Sequence, residues 1–206
     1  MLDVTGIVLA AGGSTRMGRA KQLLEIDGAP LVRRAVVAVR AAGCARAIVV
    51  LGGRAAEVAP ALLGLGATLE VNARWERGLG GSIAAGVARA ARSGATAVLL
   101  TLADQPLVDA TVLRRLLDAW RASGQPIAAS RYAGTVGVPA CFAHDFLPLL
   151  RTLDGAQGCK ALLREHAHAT ALVDCPEAAL DVDTPADWDR LLAAHPAPAA
   201  AAVLTR

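Results

Sequence analysis

The sequence predicts an α/β fold: a single three-layer domain in which a mostly parallel sheet is covered by helices on both faces. Three observations predict it. Short apolar runs alternate with amphipathic stretches along most of the 206 residues, the pattern left by strand–helix–strand crossovers. The first apolar run passes directly into a glycine-rich loop, the usual place for a ligand in such sheets. The chain is 54% apolar but only 3% aromatic, so its core is built from Ala, Val and Leu, which suits close packing of helix on sheet. The length fits one domain. We expect it to span 1–194, followed by a disordered Ala/Pro-rich tail over 195–206.

Taken in order, strand 6–10 leads to helix 30–42, strand 47–51, helix 55–63, strand 68–72, helix 81–93 and strand 95–100. The strands are short, largely apolar runs, and the stretches between them are amphipathic. Helix 109–123 shows the period well: Val112, Leu113, Leu116, Leu117 and Trp120 share one face, away from Arg114, Arg115 and Asp118. Strands 127–130, 138–142 and 170–173 and helices 144–152 and 159–166 follow, with less regular alternation. The last helix, 185–194, has its own start signal. Thr184 can cap it, Pro185 suits the first turn, and Asp187 completes a capping-box spacing. No internal repeat is visible.

Composition excludes several classes. The net charge of +3 is mild, and the arginines are scattered among Ala and Leu rather than gathered with aromatics. That argues against a nucleic-acid surface and fits an anionic small molecule. No apolar run has membrane-spanning length. Residues 1–5 enter a strand without the basic and apolar segments of a signal peptide, so a cytoplasmic location is expected. Cys44, Cys141, Cys159 and Cys175 form no Cys-x-x-Cys pair, and the histidines complete no ligand spacing. Buried free thiols are expected rather than a structural zinc.

The chemistry starts in the loop after the first strand, Leu9-Ala10-Ala11-Gly12-Gly13-Ser14-Thr15-Arg16-Met17-Gly18-Arg19-Ala20-Lys21. Small residues expose backbone N–H groups that can wrap a polyphosphate. Arg16 and Lys21 add positive charge where a triphosphate needs neutralising. A glycine-rich turn can be purely structural, and this one matches neither of the two common phosphate loops. The P-loop needs Gly-Lys-Ser/Thr, but Gly18 precedes Arg19 and Ala20. The dinucleotide fingerprint needs an acid near the end of the second strand, and 47–53 has none. A second feature is Leu102-Ala103-Asp104-Gln105-Pro106. A lone acid after a central strand is a common divalent-metal ligand; its alternative role, capping the next helix, suits Asp109 better.

The loop resembles that of the MobA-like nucleoside-triphosphate transferases, Leu-Ala-Ala-Gly-x-x-x-Arg-Met-Gly-x-x-Lys, and within them most the molybdenum cofactor cytidylyltransferases. Guanylyltransferase relatives read Leu-Ala-Gly-Gly and then Asp-Lys; here Ala11 and Ala20 stand at those places. The resemblance implies a Rossmann-like domain of the nucleotide-diphospho-sugar transferase type. It also implies transfer of CMP from CTP to a molybdopterin-type phosphorylated acceptor, with Mg²⁺ as cofactor and molybdoenzyme maturation factors as partners. Leu9, Ala10, Ala11, Gly12, Gly13 and Ser14 would hold the nucleotide, Arg16 its β and γ phosphates, and Lys21 the charge growing on the α-phosphoryl group. Asp104 would hold the metal together with Asp183, from Asp181-Val182-Asp183-Thr184-Pro185. The alternative for Asp183, a helix-start acid, is already filled by Asp187.

The segment from Asn72 to Gly86 resembles the family's base- and ribose-contacting Asn-x-x-Trp-x-x-Gly-x-x-x-Ser-x-x-x-Gly, which singles out Asn72, Gly80 and Ser82. Trp75 suits packing as well as stacking, and Gly86 suits helix–sheet contact. On the acceptor side, Gly137-Val138-Pro139 matches the family. Asp154-Gly155-Ala156-Gln157-Gly158-Cys159-Lys160 departs from its Gly-Asp-x-Gly-Ala-Arg, with Ala156 in place of the acid and Lys160 in place of Arg. Gly137, Pro139, Gly158 and Lys160 are the candidate acceptor residues, with a surface turn as the other reading of the last two. Two further readings stay open: a different phosphorylated acceptor, and a nicotinamide-dependent oxidoreductase of the nicotine-blue-reductase type.

Overall fold

A computed structural model describes residues 3–156 and 158–194. The first half runs β1 (Val4–Ala10), β2 (Glu25–Ile26), β3 (Ala29–Pro30), α1 (Leu31–Ala41), β4 (Arg46–Leu51), α2 (Ala55–Val58), β5 (Thr68–Val71) and α3 (Leu79–Arg92). The second runs β6 (Ala97–Leu102), α4 (Ala110–Ser123), β7 (Ile127–Tyr132), β8 (Thr135–Ala143), α5 (Leu147–Leu150), α6 (Lys160–Glu165), β9 (Thr170–Asp174) and α7 (Pro185–Ala194). Seven strands form one sheet in the order β5-β4-β1-β6-β8-β7-β9. β8 runs against β6 and β7, and the other pairings are parallel. The three-layer, mostly parallel architecture expected from the sequence is the one the chain adopts.

Strand alternation explains the layers. Val4, Val8 and Ala10 of β1 join a core beneath α1, α2 and α4. Ile7 and Leu9 point to the opposite face, beneath α3, α5 and α6. The α4 stripe of Val112, Leu113, Leu116, Leu117 and Trp120 is buried as its spacing requires. The Asp109 side chain caps α4 by accepting from the N–H groups of Thr111 and Val112 at 2.8 and 2.9 Å. Gly86 lets α3 sit close on the sheet: a β-carbon there would lie 2.7 Å from Ile7 and 2.8 Å from Val50.

Several elements differ from expectation. Helix 55–63 stops at Val58 and tightens into a 3₁₀ turn over Ala59–Leu62, because Pro60 has no N–H to continue the ladder. Helix 144–152 is likewise a 3₁₀ turn, His144–Phe146, followed by the single turn of α5, which contains Pro148. β6 begins at Ala97 rather than residue 95, since the Ala95 N–H is held by Ala90 at the end of α3. β8 starts at Thr135 and makes a hairpin with β7. The tail expected over 195–206 lies outside the described residues.

Cys44, Cys141, Cys159 and Cys175 are buried free thiols. Burial pushes Cys44 up to about 12 and Cys159 to about 11. Among the described residues, no helix is long and apolar enough to cross a membrane.

Candidate active site

The loop that follows β1 is held by polar side chains from outside its glycines. Gln22 is buried, at 2% exposure. Its amide donates to the Ala10 carbonyl at 3.0 Å and the Gly12 carbonyl at 2.8 Å, and its oxygen accepts from the Ser14 hydroxyl at 3.1 Å. The same hydroxyl accepts from the Lys21 N–H at 3.1 Å. Arg54, from the β4–α2 turn, donates to the Gly13 carbonyl at 3.1 Å. The Ala11 carbonyl accepts from the Gly53 N–H at 3.3 Å. Neither Gln22 nor Arg54 is singled out by the sequence motif. The only signal for Gln22 is a polar residue set between Lys21 and an apolar pair.

At the loop's end, Lys21 meets two carboxylates brought from distant parts of the chain. Its ammonium lies 2.5 Å from Asp104 and 2.6 Å from Asp183. Asp104 follows β6, next to β1 in the sheet, so the two strands release their loops on the same edge. Asp183 is brought there by α7. Trp188 and Leu191 of that helix pack on Met17, Leu24 and Leu31 around the loop. The capping box forms as expected: the Asp187 carboxylate accepts from the Thr184 N–H at 2.8 Å, and the Thr184 hydroxyl accepts from the Asp187 N–H at 3.2 Å. Arg16 is largely exposed and pairs with the second oxygen of Asp183 at 2.7 Å.

Burial works to lower the Lys21 pKa, but the charges and hydrogen bonds of Asp104 and Asp183 outweigh it, and the net shift is upward. For Asp183, partial burial pulls upward and is overcome by Lys21 and then Arg16, so its carboxyl is held below the usual range. Asp181, two residues before Asp183, responds to the same charges. Crowding by protein, then the Asp104 charge, push its carboxyl up to about 6.

Among the described residues, no set of three His, Cys, Asp or Glu side chains converges as a metal cage. Asp104 nevertheless keeps a buried Oδ1 with no hydrogen-bond partner. A buried carboxylate oxygen left open beside a second carboxylate fits a divalent ion. Mg²⁺ in particular takes one or two protein carboxylates and fills its octahedron with phosphate oxygens and water.

A cavity of about 330 Å³ opens beside these charges. Of the expected residues it brings together Leu9, Ala10, Ala11, Gly12, Lys21, Ser82 and Asp104 on one wall system. Trp75 completes it, and does so by packing: β-carbons built on Gly13, Gly52 and Gly53 would each lie within 2.6 Å of Trp75. Other expected residues stand behind the wall. Ser14 braces the loop from within, and Gly13 lines a separate hollow under Trp75. The Asn72 amide donates to the Ser82 hydroxyl at 3.1 Å and accepts from the Arg74 N–H at 3.0 Å, so it orients Ser82 and faces a different cleft. Gly80 admits the backbone of Asp154, which a β-carbon would meet at 2.5 Å.

A second cavity, also about 330 Å³, adjoins the first through the shared Leu79 and Leu102. Gly137, Lys160, Tyr132 and Asp181 line it, while Pro139 and Gly158 do not. Gly137 leaves room for the Tyr132 hydroxyl, 2.8 Å from where its β-carbon would be, and Gly158 makes room for Leu79. Burial, then the Asp181 charge, push the Tyr132 hydroxyl up to about 12.

The chain is similar to nicotine blue oxidoreductase of Paenarthrobacter nicotinovorans, 32% identical over 92% of this chain and 96% of that one. It is similar to a molybdenum cofactor guanylyltransferase of Rhodobacter capsulatus, 33% identical over 75% of this chain and 83% of that one. It also matches the crystal structure of Rv0371C in complex with manganese from Mycobacterium tuberculosis H37Rv, with a TM-score of 0.76, 33% identity, and coverage of 93% of this chain and 98% of that one. The MobA-like NTP transferase domain matches residues 6–170, and the chain belongs to that family of nucleotidyltransferases.

Proposed function

We propose that the protein is a Mg²⁺-dependent cytidylyltransferase that transfers CMP from CTP to the terminal phosphate of molybdopterin and releases pyrophosphate. The observation that carries this reading is the Lys21 ammonium held between Asp104 and Asp183 at the edge of the loop-lined cavity. An acceptor phosphate oxygen attacks the α-phosphorus, the bond from that phosphorus to the bridging oxygen of the β-phosphate breaks, and pyrophosphate leaves with the electron pair. The acceptor is already anionic, so no strong base is needed, and rate comes from positioning and charge neutralisation. On this reading Lys21 would stabilise the charge growing on the α-phosphoryl group, and Arg16 and the loop amides would hold the β and γ phosphates.

Asp104 and Asp183 would hold the ion, which supplies charge neutralisation and alignment of the phosphate oxygens. The named manganese complex of a relative supports a divalent ion at this fold. The second cavity, next to the first and lined by Lys160 and Gly137, would take the acceptor. The reading includes handover of the product to molybdoenzyme maturation factors.

A reductase of the nicotine-blue type is the second reading, favoured by the 32% identity to a protein of that name. Incubation with each labelled nucleoside triphosphate, Mg²⁺ and molybdopterin separates the two. Pyrophosphate release supports transfer. Its absence, with oxidation of a nicotinamide cofactor by a quinonoid dye, supports the reductase.

A further inference from the structure

A polar cleft of about 380 Å³ runs along a different face of α3 from the nucleotide cavity. Three arginines border it: Arg74 and Arg77, around the turn after β5, and Arg151, just after α5. One carboxylate faces them, Asp154, which is ion-paired with Arg77. Arg74 and Arg151 form no ion pair among the described residues, so the cleft keeps an excess of positive charge. Its floor is the bare side of α3 at Gly81, Ala84 and Ala85. A β-carbon on Gly81 would meet nothing closer than 3.7 Å, so a ligand can reach the helix surface. Asn72 adds an amide, one of whose N–H groups goes to Ser82; an amide nitrogen has two.

Guanidinium groups are planar forks matched to the oxygens of phosphate, and several around one hollow favour a ligand of more than one negative charge. We propose that this cleft is a second anion site that takes a small phosphate-bearing ligand, separate from the nucleotide cavity. Its charged side chains, Arg74, Arg77, Arg151 and Asp154, are none of those assigned to nucleotide or metal; of the lining, Asn72 alone is shared with the segment assigned to the base. The Asn72–Ser82 hydrogen bond links it to the nucleotide cavity, so an occupant of the cleft would touch the wall of the other site.

The test is equilibrium dialysis of the full chain against labelled inorganic phosphate at fixed ionic strength, comparing wild type with Arg151→Ala, Arg74→Ala and Arg16→Ala. All three side chains are exposed, so folding should be kept. Arg151→Ala and Arg74→Ala each weaken phosphate binding about tenfold or more, while Arg16→Ala retains it. Asp154→Asn keeps an acceptor for the Gly155 N–H and removes the competing carboxylate, so binding tightens severalfold. The proposal is overturned if wild type binds no phosphate. It is equally overturned if Arg16→Ala abolishes binding while Arg151→Ala and Arg74→Ala leave it unchanged, since the phosphate would then occupy the loop.

Discussion

The Lys21 ammonium lies 2.5 Å from the Asp104 carboxylate, with only 12% of the one side chain and 19% of the other exposed. A charge pair this sheltered feels weak solvent screening, so each partner depends on the other and on whatever phosphate or metal enters beside them.

Asp104→Asn keeps the size of the side chain and removes its charge. Turnover should fall by a factor of roughly a hundred or more if the carboxylate holds the ion, while circular dichroism shows an intact fold. Near-normal pyrophosphate release from this variant would remove Asp104 from the metal site.

Lys21→Ala tests where its charge acts. Stabilisation that exists only in the transition state lowers kcat more than it raises KM for the nucleotide. Steady-state kinetics at saturating acceptor give the split; a rise in KM with kcat unchanged would make Lys21 a ground-state phosphate clamp.

Gln22→Met fills a similar volume and makes no hydrogen bond to the loop. The carbonyls of Ala10 and Gly12 lose a donor each, and every buried group left unpaired costs about 1–3 kcal/mol. The denaturation midpoint should drop, and KM for the nucleotide should rise as the loop loosens. An unchanged midpoint and KM would show that the glycine-rich loop holds its shape without Gln22.

Ala11 lines the cavity beside the loop, and on the proposed reading its methyl would narrow the space beside the base. CTP should be preferred over GTP by at least about tenfold, as one misfitting group typically costs 1–3 kcal/mol. Ala11→Gly should shrink that ratio. Competition kinetics with both nucleotides read it directly, and equal use by wild type would return the chain to the wider family.

Much of this arrangement was legible in the sequence because local rules set it. α7 spans Pro185–Ala194 as its Thr184–Asp187 spacing requires, and Asp109 caps α4. The loop, Asp104 and Asp183 converge because strand order puts β1 beside β6 and α7 packs over the loop. Two hairpins were not foreseen. β2–β3 turns at Asp27 and Gly28 and β7–β8 at Ala133 and Gly134, each with positive φ at both turn residues. Asp27-Gly28 is a strong hairpin signal, but its flanking strands are too short to show alternation. Ala133 has no side-chain preference for that conformation, so its turn is set by strand pairing. The roles of Gln22 and Arg54, and the turning of Asn72 toward Ser82, are tertiary: each depends on what lies across a gap that the sequence does not display.

The central claim is nucleotidyl transfer to a phosphate, and the fate of label from CTP tests it most directly. With Mg²⁺ and molybdopterin, label in the α-phosphate of CTP should appear in the acceptor product, and label in the γ-phosphate should appear only in pyrophosphate. Transfer of γ label to the acceptor, or no acceptor labelling from either nucleotide, would contradict the account.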